Sequence, residues 1–414
     1  LRRGVVFHDG TALDARAVKE SFDRLLDPEL GLARRSLIAG FLKEVVVIDP
    51  LTVEFRLLHP VAPFLKVLAH DSLAIVGPSA GGPESFTPVG TGPFYLREWT
   101  PGTRLVLEAF PEHWRGAPAV DRIVFLSPPA ASSRAIMLQA GEIDVAYPVE
   151  AAHVESLRNT PGVAVETTET HRLVYLALNT RRPPFDDSRA RVAVSRAIDR
   201  EGIARHVLFG LATPAYQPLA PGTWGYSPVC APSFDPAGAK EAIESLTDPT
   251  RRRLSLWGPQ GRYPQDRAVA QAVGAFLAAA GFDVEIRLFE WGAYLGRLGR
   301  TEEWNLALLG WASSTGDADM ALRPLFYSGS RSNHSGYSSA AVDALIDAAL
   351  RELDPGRRLD LYREAIAAIS AGMPVVPLYV PHLAYGRKAN VLGIRFGPSE
   401  TLDLRSAHFE GVRR

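Results

Sequence analysis

Gly77-Pro78-Ser79-Ala80-Gly81 has the G-x-S-x-G spacing of a nucleophile elbow, in which a strained strand-to-helix turn exposes a serine for attack. Gly81-Gly82-Pro83 follows at once and is a poor opening for the required helix, so Ser79 reads as a loop serine. Gly90-Thr91-Gly92 resembles the start of a dinucleotide fingerprint, but Pro93 and the strand-like Phe94-Tyr95-Leu96 stand where a pyrophosphate-binding helix would begin. Asp317 and Asp319 could turn two carboxylates toward one divalent cation, although for a lone pair the default is a solvated or helix-capping role. The ten histidines are scattered singly, without H-x-H, H-E-x-x-H or a Cys/His cluster, so no metal or cofactor is expected. The one cysteine, Cys230, cannot form an intramolecular disulfide and reads as a small packed side chain. What remains is aromatic. Tyr216, Trp224, Tyr226, Tyr263, Trp311 and Tyr337 lie beside turn residues and off the helical stripes, as rings do when they wall a pocket or pack between domains.

The elements that must position these residues can be read from periodicity. Leu1 to Asp9 reads as a strand in progress that runs into a turn at Asp9-Gly10. Asp14 caps a helix with Val18, Phe22, Leu25 and Leu26 on one face, and Glu44–Ile48 with Thr52–Leu57 reads as a hairpin. A second hairpin, Phe94–Trp99 with Arg104–Glu108, precedes a strand at Ile123–Leu126 and a helix at Ser133–Ala140. Asp187–Ile198 and Asp199–Phe209 read as consecutive helices, and 214–236 as a long Pro-, Gly- and aromatic-rich loop. The clearest unit runs from Leu254 to Trp291. A strand (Leu254, Leu256, Trp257), a helical stripe (Val269, Val273, Phe276, Leu277, Ala280) and an alternating strand (Phe282, Val284, Ile286, Leu288) make a parallel crossover. A strand at Leu306–Gly310 follows, then two helices with stripes Val342, Leu345, Ile346, Ala349, Leu353 and Leu359, Tyr362, Ile366, Ile369.

Composition sets the outer bounds. The 414 residues carry 45 Lys plus Arg against 46 Asp plus Glu, a net charge of -1, with 46% hydrophobic residues, so several cores can be filled and disorder is excluded. Cancelled charge gives no reason to expect nucleic acid or an anionic membrane as the main partner, and no apolar run reaches the length of a membrane span. From the residues alone, the chain is a multidomain α/β protein with an aromatic-lined site between domains.

Five ordered segments carry a resemblance: VVFHDGTALDARAVKESFDRL, VGTGPFYLREWTPGTRLVLEAFPEHWRGAPAVDRIVF, AIMLQAGEIDVAY, LNTRRPPFDDSRARVAVSRAID and YSSAAVDALIDAAL. Together they resemble the landmarks of the family 5 extracellular solute-binding proteins of ABC transporters, the dipeptide, oligopeptide, glutathione and nickel binders. The resemblance implies a type II periplasmic-binding-protein-like α/β fold, two lobes closing on a solute, with an extra α+β domain on lobe I. It implies no enzyme and no cofactor, but a monomer that takes a small molecule or short peptide outside the cytoplasmic membrane and hands it to an ABC permease. Periplasmic or extracellular placement follows, with lipid anchoring through an N-terminal segment that precedes Leu1. By the same mapping 1–88 is the extra domain, 89–172 lobe I, 173–380 lobe II and 381–414 a return to lobe I, with hinge crossings near Thr170–Asn179 and Val380–Tyr385.

Site residues carry over with departures. In peptide-binding relatives an aspartate three residues after a loop tryptophan holds the ligand ammonium; Trp311 matches the tryptophan, but Ser314 stands at the third position. A hydroxyl cannot make the charge-assisted bond, so Asp317 or Asp319 would have to substitute. Arg262 lies close to the arginine that takes a dipeptide's carboxylate. The expected ligand contacts are Trp311, Ser313, Ser314, Asp317, Asp319, Arg262, Tyr263 and Trp224. Alternatives kept open are a nickel-chelate or other non-peptide binder, a ligand sensor, a hydrolase using Ser79 and a metal-dependent transferase using Asp317 and Asp319.

Overall fold

In the strand Arg172–Leu178 successive side chains face two different cores. Val174, Leu176 and Leu178 pack with Leu256, Val269, Val273 and Leu306, whereas Leu173, Tyr175 and Ala177 pack with Trp257, Tyr294, Ala307 and Ile366. A strand covered on both faces must be apolar at every position, and from Leu173 onward this one is fully buried. The computed structural model describes residues 1–81, 86–128, 130–228, 232–246, 248–299 and 303–411. Cys230 and the Gly82-Pro83 pair lie outside them.

The large sheet runs in the order Asp283–Glu290, Arg253–Gln260, Leu306–Ala312, Arg172–Leu178, Val375–Lys388, Val145–Val149. The first three are parallel neighbours, with Leu254 opposite Val284 and Leu256 opposite Leu306, as the crossover pattern predicts. Helix Asp266–Ala279 joins the first pair and buries Val269, Ala270, Val273 and Leu277. Leu306–Ala312 then pairs antiparallel with Arg172–Leu178, placing Ala312 opposite Arg172.

The strand Val375–Lys388 belongs to two lobes. Its first part, Val375 to Tyr379, pairs with Arg172–Leu178, and its second, His382 to Lys388, pairs with Val163–Glu169. Thr170, between those two partners, donates through both its backbone N–H and its hydroxyl to the Pro381 carbonyl, so the two connections run side by side. The smaller lobe has its own core of Ala135, Leu138, Ala146, Val149, Val154, Leu157 and Ala384, and nearby lies an antiparallel sheet of Phe94–Thr100, Arg104–Ala109 and Arg122–Leu126. Near the N-terminus, helix Ala15–Leu26, capped by Asp14, packs on the hairpin Leu42–Asp49 and Thr52–Leu57 around Val18, Phe22, Leu25 and Val45.

Three expectations need correction. Leu1 to Asp9 forms a single bridge, Val6 to Ala12, because the chain turns back at once. The helix expected over Asp199–Phe209 is one turn, Arg200–Gly202, continued by a π-helical turn at Ile203–Val207, and Phe209 closes it at φ 55°. Leu353 is exposed, since its helix ends at Arg351 and Asp354 already caps the next, whose first residue is Pro355.

Candidate functional site

The parallel strands Asp283–Glu290, Arg253–Gln260 and Leu306–Ala312 all end on the same side, where open α/β sheets take ligands. Beyond these ends come Trp291, the first residue of helix Trp291–Leu298, then Arg262 and Tyr263, then the loop from Ser313 that leads into helix Asp319–Phe326. Asp266, buried at the start of its helix, accepts backbone N–H bonds from Gly261, Arg262, Tyr263 and Arg267 at 2.8–3.2 Å, which fixes the middle loop. Arg262 is exposed, with its guanidinium over the rings of Tyr263 at 5.4 Å and Trp291 at 5.3 Å and no carboxylate partner among the described residues. Tyr263 is buried and reaches the Gly310 carbonyl at 3.4 Å.

Gly261 to Arg267 line a cavity of about 520 Å³, within the usual range for small-molecule sites. Its other walls are Arg134 and Tyr147 to Ala151 from the smaller lobe and Pro381 to Ala384 from the shared strand, with Arg172 and Glu400 between. Arg172 grips Glu400 with two parallel bonds of 2.6 and 2.7 Å. Burial works against the Arg172 charge, and the Glu400 carboxylate outweighs it, holding the guanidinium pKa above its ordinary value. Burial also raises the Tyr147 phenol, with Glu400 adding to the shift.

A smaller cavity of about 290 Å³ lies between the N-terminal unit and the larger lobe, lined by Phe41, His59, Val61, Asp317, Asp319 and Arg323 among others. Asp317 is completely buried and bound by the Arg358 guanidinium at 2.6 and 3.1 Å, with Lys66 at 3.3 Å and the Tyr362 hydroxyl also at 3.3 Å. Trp224 lies between the two cations, 5.0 Å from Lys66 and 4.6 Å from Arg358. Backbone bonds from Trp224 N–H to Gly316 and from Ala318 N–H to Trp224 lock its loop onto the Asp317 loop. Gly225 must be glycine for this contact: φ is 99°, and a Cβ would stand 2.7 Å from that of Ala318. Asp319 meets Arg323 at 3.2 Å, and burial pushes its carboxyl above the usual aspartate range against that partner's pull.

The eight expected contacts are thus divided. Arg262 and Tyr263 line the larger cavity and Asp317 and Asp319 the smaller, while Trp311, Ser313, Ser314 and Trp224 are outside the lining of either. The Trp311 indole donates to the Met320 carbonyl at 2.6 Å, and Ser313 N–H bonds the His171 carbonyl at 3.2 Å, next to Arg172. The sequence reading missed Arg172, Glu400 and Tyr147 in one cavity and Lys66, Arg358 and Tyr362 around Asp317. Tyr362 belongs to the helical stripe that the periodicity predicts, whereas the burial of Arg358 and the pairing of the other residues depend on the fold.

The motifs that suggested catalysis have other partners. Ser79 donates to the Asp9 carboxylate, whose pKa is lowered by that bond and those from Thr11, which makes Asp9 a poor base. Gly90 and Gly92 are clasped by His8, whose ring meets Gly90 N–H at 3.2 Å and the Gly92 carbonyl at 3.0 Å. Among the described residues no three His, Cys, Asp or Glu side chains are grouped to hold a metal ion, and no helix is long and apolar enough to cross a membrane.

Residues 1–333 match the model of the bacterial extracellular solute-binding proteins, family 5 middle domain. The chain is 32% identical over 412 residues to the glutathione-binding protein GsiB of Salmonella paratyphi A, covering 96% of this chain and 80% of that protein. Among solved structures, the Helicobacter pylori binding protein DppA in complex with the peptide STSA superposes with a TM-score of 0.85 at 27% identity, covering 99% of this chain and 85% of that one. The dipeptide-binding protein of Pseudoalteromonas sp. SM9913 in complex with Met-Leu gives 0.87 at 26% identity, covering 99% and 87%. These neighbours share the two-lobed fold, and members of the family are extracytoplasmic binding proteins of transport systems. With a family model spanning most of its length and ligand-sized space between its lobes, the chain belongs to the bacterial extracellular solute-binding proteins, family 5.

Proposed function

We propose that this protein captures a short peptide or glutathione-like solute in the 520 Å³ cavity and delivers it to an ABC permease, with no turnover of its own. The observation that carries the reading is the wall chemistry. Arg262 offers a guanidinium without a carboxylate partner among the described residues, and Glu400 lines the same space. Opposite charges in one cavity suit a zwitterion, and a fork-shaped guanidinium suits its carboxylate.

We propose a division into an extra domain at 1–88, lobe I at 89–172, lobe II at 173–380 and a return to lobe I at 381–414. The change of pairing partners along Val375–Lys388 and the paired crossing at Thr170 are what a two-strand hinge needs. Trp311, Ser313 and Ser314 would join the ligand's edge from the adjoining loop, beside Arg172. Asp317, Asp319 and Trp224 would act by holding that loop.

Calorimetric titration with glutathione, Met-Leu, STSA and a nickel–histidine complex tests the reading. Binding of at least one peptide, weakened by C-terminal amidation, is expected. Binding of the nickel complex alone would overturn it in favour of a metal-chelate receptor.

A further inference from the structure

The position three residues after Trp311, where peptide-binding relatives are expected to hold an aspartate, is Ser314, so a free amino terminus lacks its usual counter-charge there. Asp317 does not fill the gap. Its oxygens are already bound by Arg358, Lys66 and Tyr362. Asp319 faces the smaller cavity and is held by Arg323. In the larger cavity the acidic side chains are Glu150, Asp266 and Glu400. Asp266 is committed to four backbone N–H groups, and Glu150 lies at the start of helix Ala151–Arg158 with His153 3.8 Å away.

Glu400 is placed differently. It sits in the turn between the short strands Arg395–Phe396 and Leu402–Asp403, at φ 63°, with its N–H bonded to the Gly397 carbonyl at 3.0 Å. Its carboxylate receives both bonds of the Arg172 fork, and no other donor reaches it among the described residues. A carboxylate has about four lone-pair directions, so about two remain for a ligand. Arg172 is opposite Ala312, and Ser313 follows directly, which brings Glu400 to the same end of the strand as Ser314. The side chain is 23% exposed, open to the cavity yet shielded enough for a charge-assisted bond to matter.

We infer that Glu400 is the specificity-determining residue that receives the ligand's ammonium group, with Arg172 as the positioning residue that holds its carboxylate toward the cavity. The inference rests on the peptide-binding reading above. Arg172 closes the lobe I segment at the first hinge crossing and Glu400 lies in the C-terminal return to lobe I, so the ligand's ammonium completes a three-membered charge cluster beside the hinge. An ordinary structural ion pair would tie the same segments without distinguishing one ligand amine from another.

The test is calorimetric titration of the intact protein with Met-Leu and STSA, each with a free and an N-acetylated amino terminus. In the wild type, acetylation should weaken binding by about tenfold to a hundredfold. Glu400→Gln keeps the side chain's shape; it should weaken the free-amine peptides by a similar factor and leave the acetylated ones unchanged. Equal affinity of free and acetylated peptides for the wild type overturns the inference without any variant and leaves the peptide reading standing. An equal loss for both forms in Glu400→Gln makes the pair purely structural and also overturns it. If the wild type binds no peptide in either form, the peptide reading itself falls.

Discussion

The Lys66 ammonium lies 3.3 Å from the Asp317 carboxylate, although Lys66 is on helix Phe64–Leu68 near the N-terminus and Asp317 is on a loop of the larger lobe. Close by, Ala62 N–H bonds the Leu350 carbonyl at 2.7 Å, so the N-terminal unit touches that lobe through backbone as well as charge. The two cations on Asp317 are unequal. Arg358 is buried and Lys66 is 42% exposed. Asp317→Asn should therefore destabilise strongly, by about 3–5 kcal/mol, because it leaves Arg358 buried without its anion. Lys66→Met should cost at most about 1 kcal/mol, since water screens its pair. Denaturant melts of both variants check the order; a larger loss for Lys66→Met would contradict it.

Arg262→Met keeps much of the stem that lies on Tyr263 and Trp291 while removing the guanidinium. Peptides with a free carboxylate should bind about tenfold or more weakly, and C-amidated peptides should be unaffected. Titrating both forms against variant and wild type decides it, and an equal change for the two would remove Arg262 from the ligand's carboxylate.

Ser314→Asp should tighten binding of peptides with a free amino terminus by about tenfold, because it adds a carboxylate at the loop beside Arg172. Trp311→Ala should weaken all ligands regardless of charge, since the ring packs on the core beneath that loop and its indole ties the loop to Met320. Unchanged affinity in both variants would place the loop away from the ligand.

Asp319 gives a pH dependence. A carboxyl whose pKa is raised on folding holds its proton more tightly in the fold, so its contribution is complete below the ordinary value of 3.8 and is lost as pH rises through the folded value. Asp319→Asn should then gain stability relative to the wild type between about pH 4 and pH 7. Arg323 keeps Asp347 at 2.9 Å, so the substitution does not strand its charge. A melting-temperature difference that is flat across that range would count against burial as the controlling cause.

Ser79→Ala should leave ligand affinity unchanged and reveal no lost turnover, because the Ser79 hydroxyl bonds a carboxylate that is a weak base. Esterase or peptidase activity that disappears in this variant would overturn the non-enzymatic reading.

The sequence alone determined the elements whose burial is periodic. The crossover from Leu254 to Leu288 was legible because a parallel strand buried on both faces and an amphipathic helix leave different periods, and the family motifs ordered the rest of the chain. It also exposed the missing aspartate at Ser314. Only the tertiary structure decided which charges meet. Arg172 and Glu400 are 228 positions apart, and Arg358 and Tyr362 are 41 and 45 positions from Asp317. Arg358 sits among exposed neighbours on a helix that looks polar there, and its burial depends on a carboxylate arriving from another loop. Hydrophobic burial repeats along an element and so leaves a local pattern, whereas an ion pair needs one residue from each of two distant segments and leaves none.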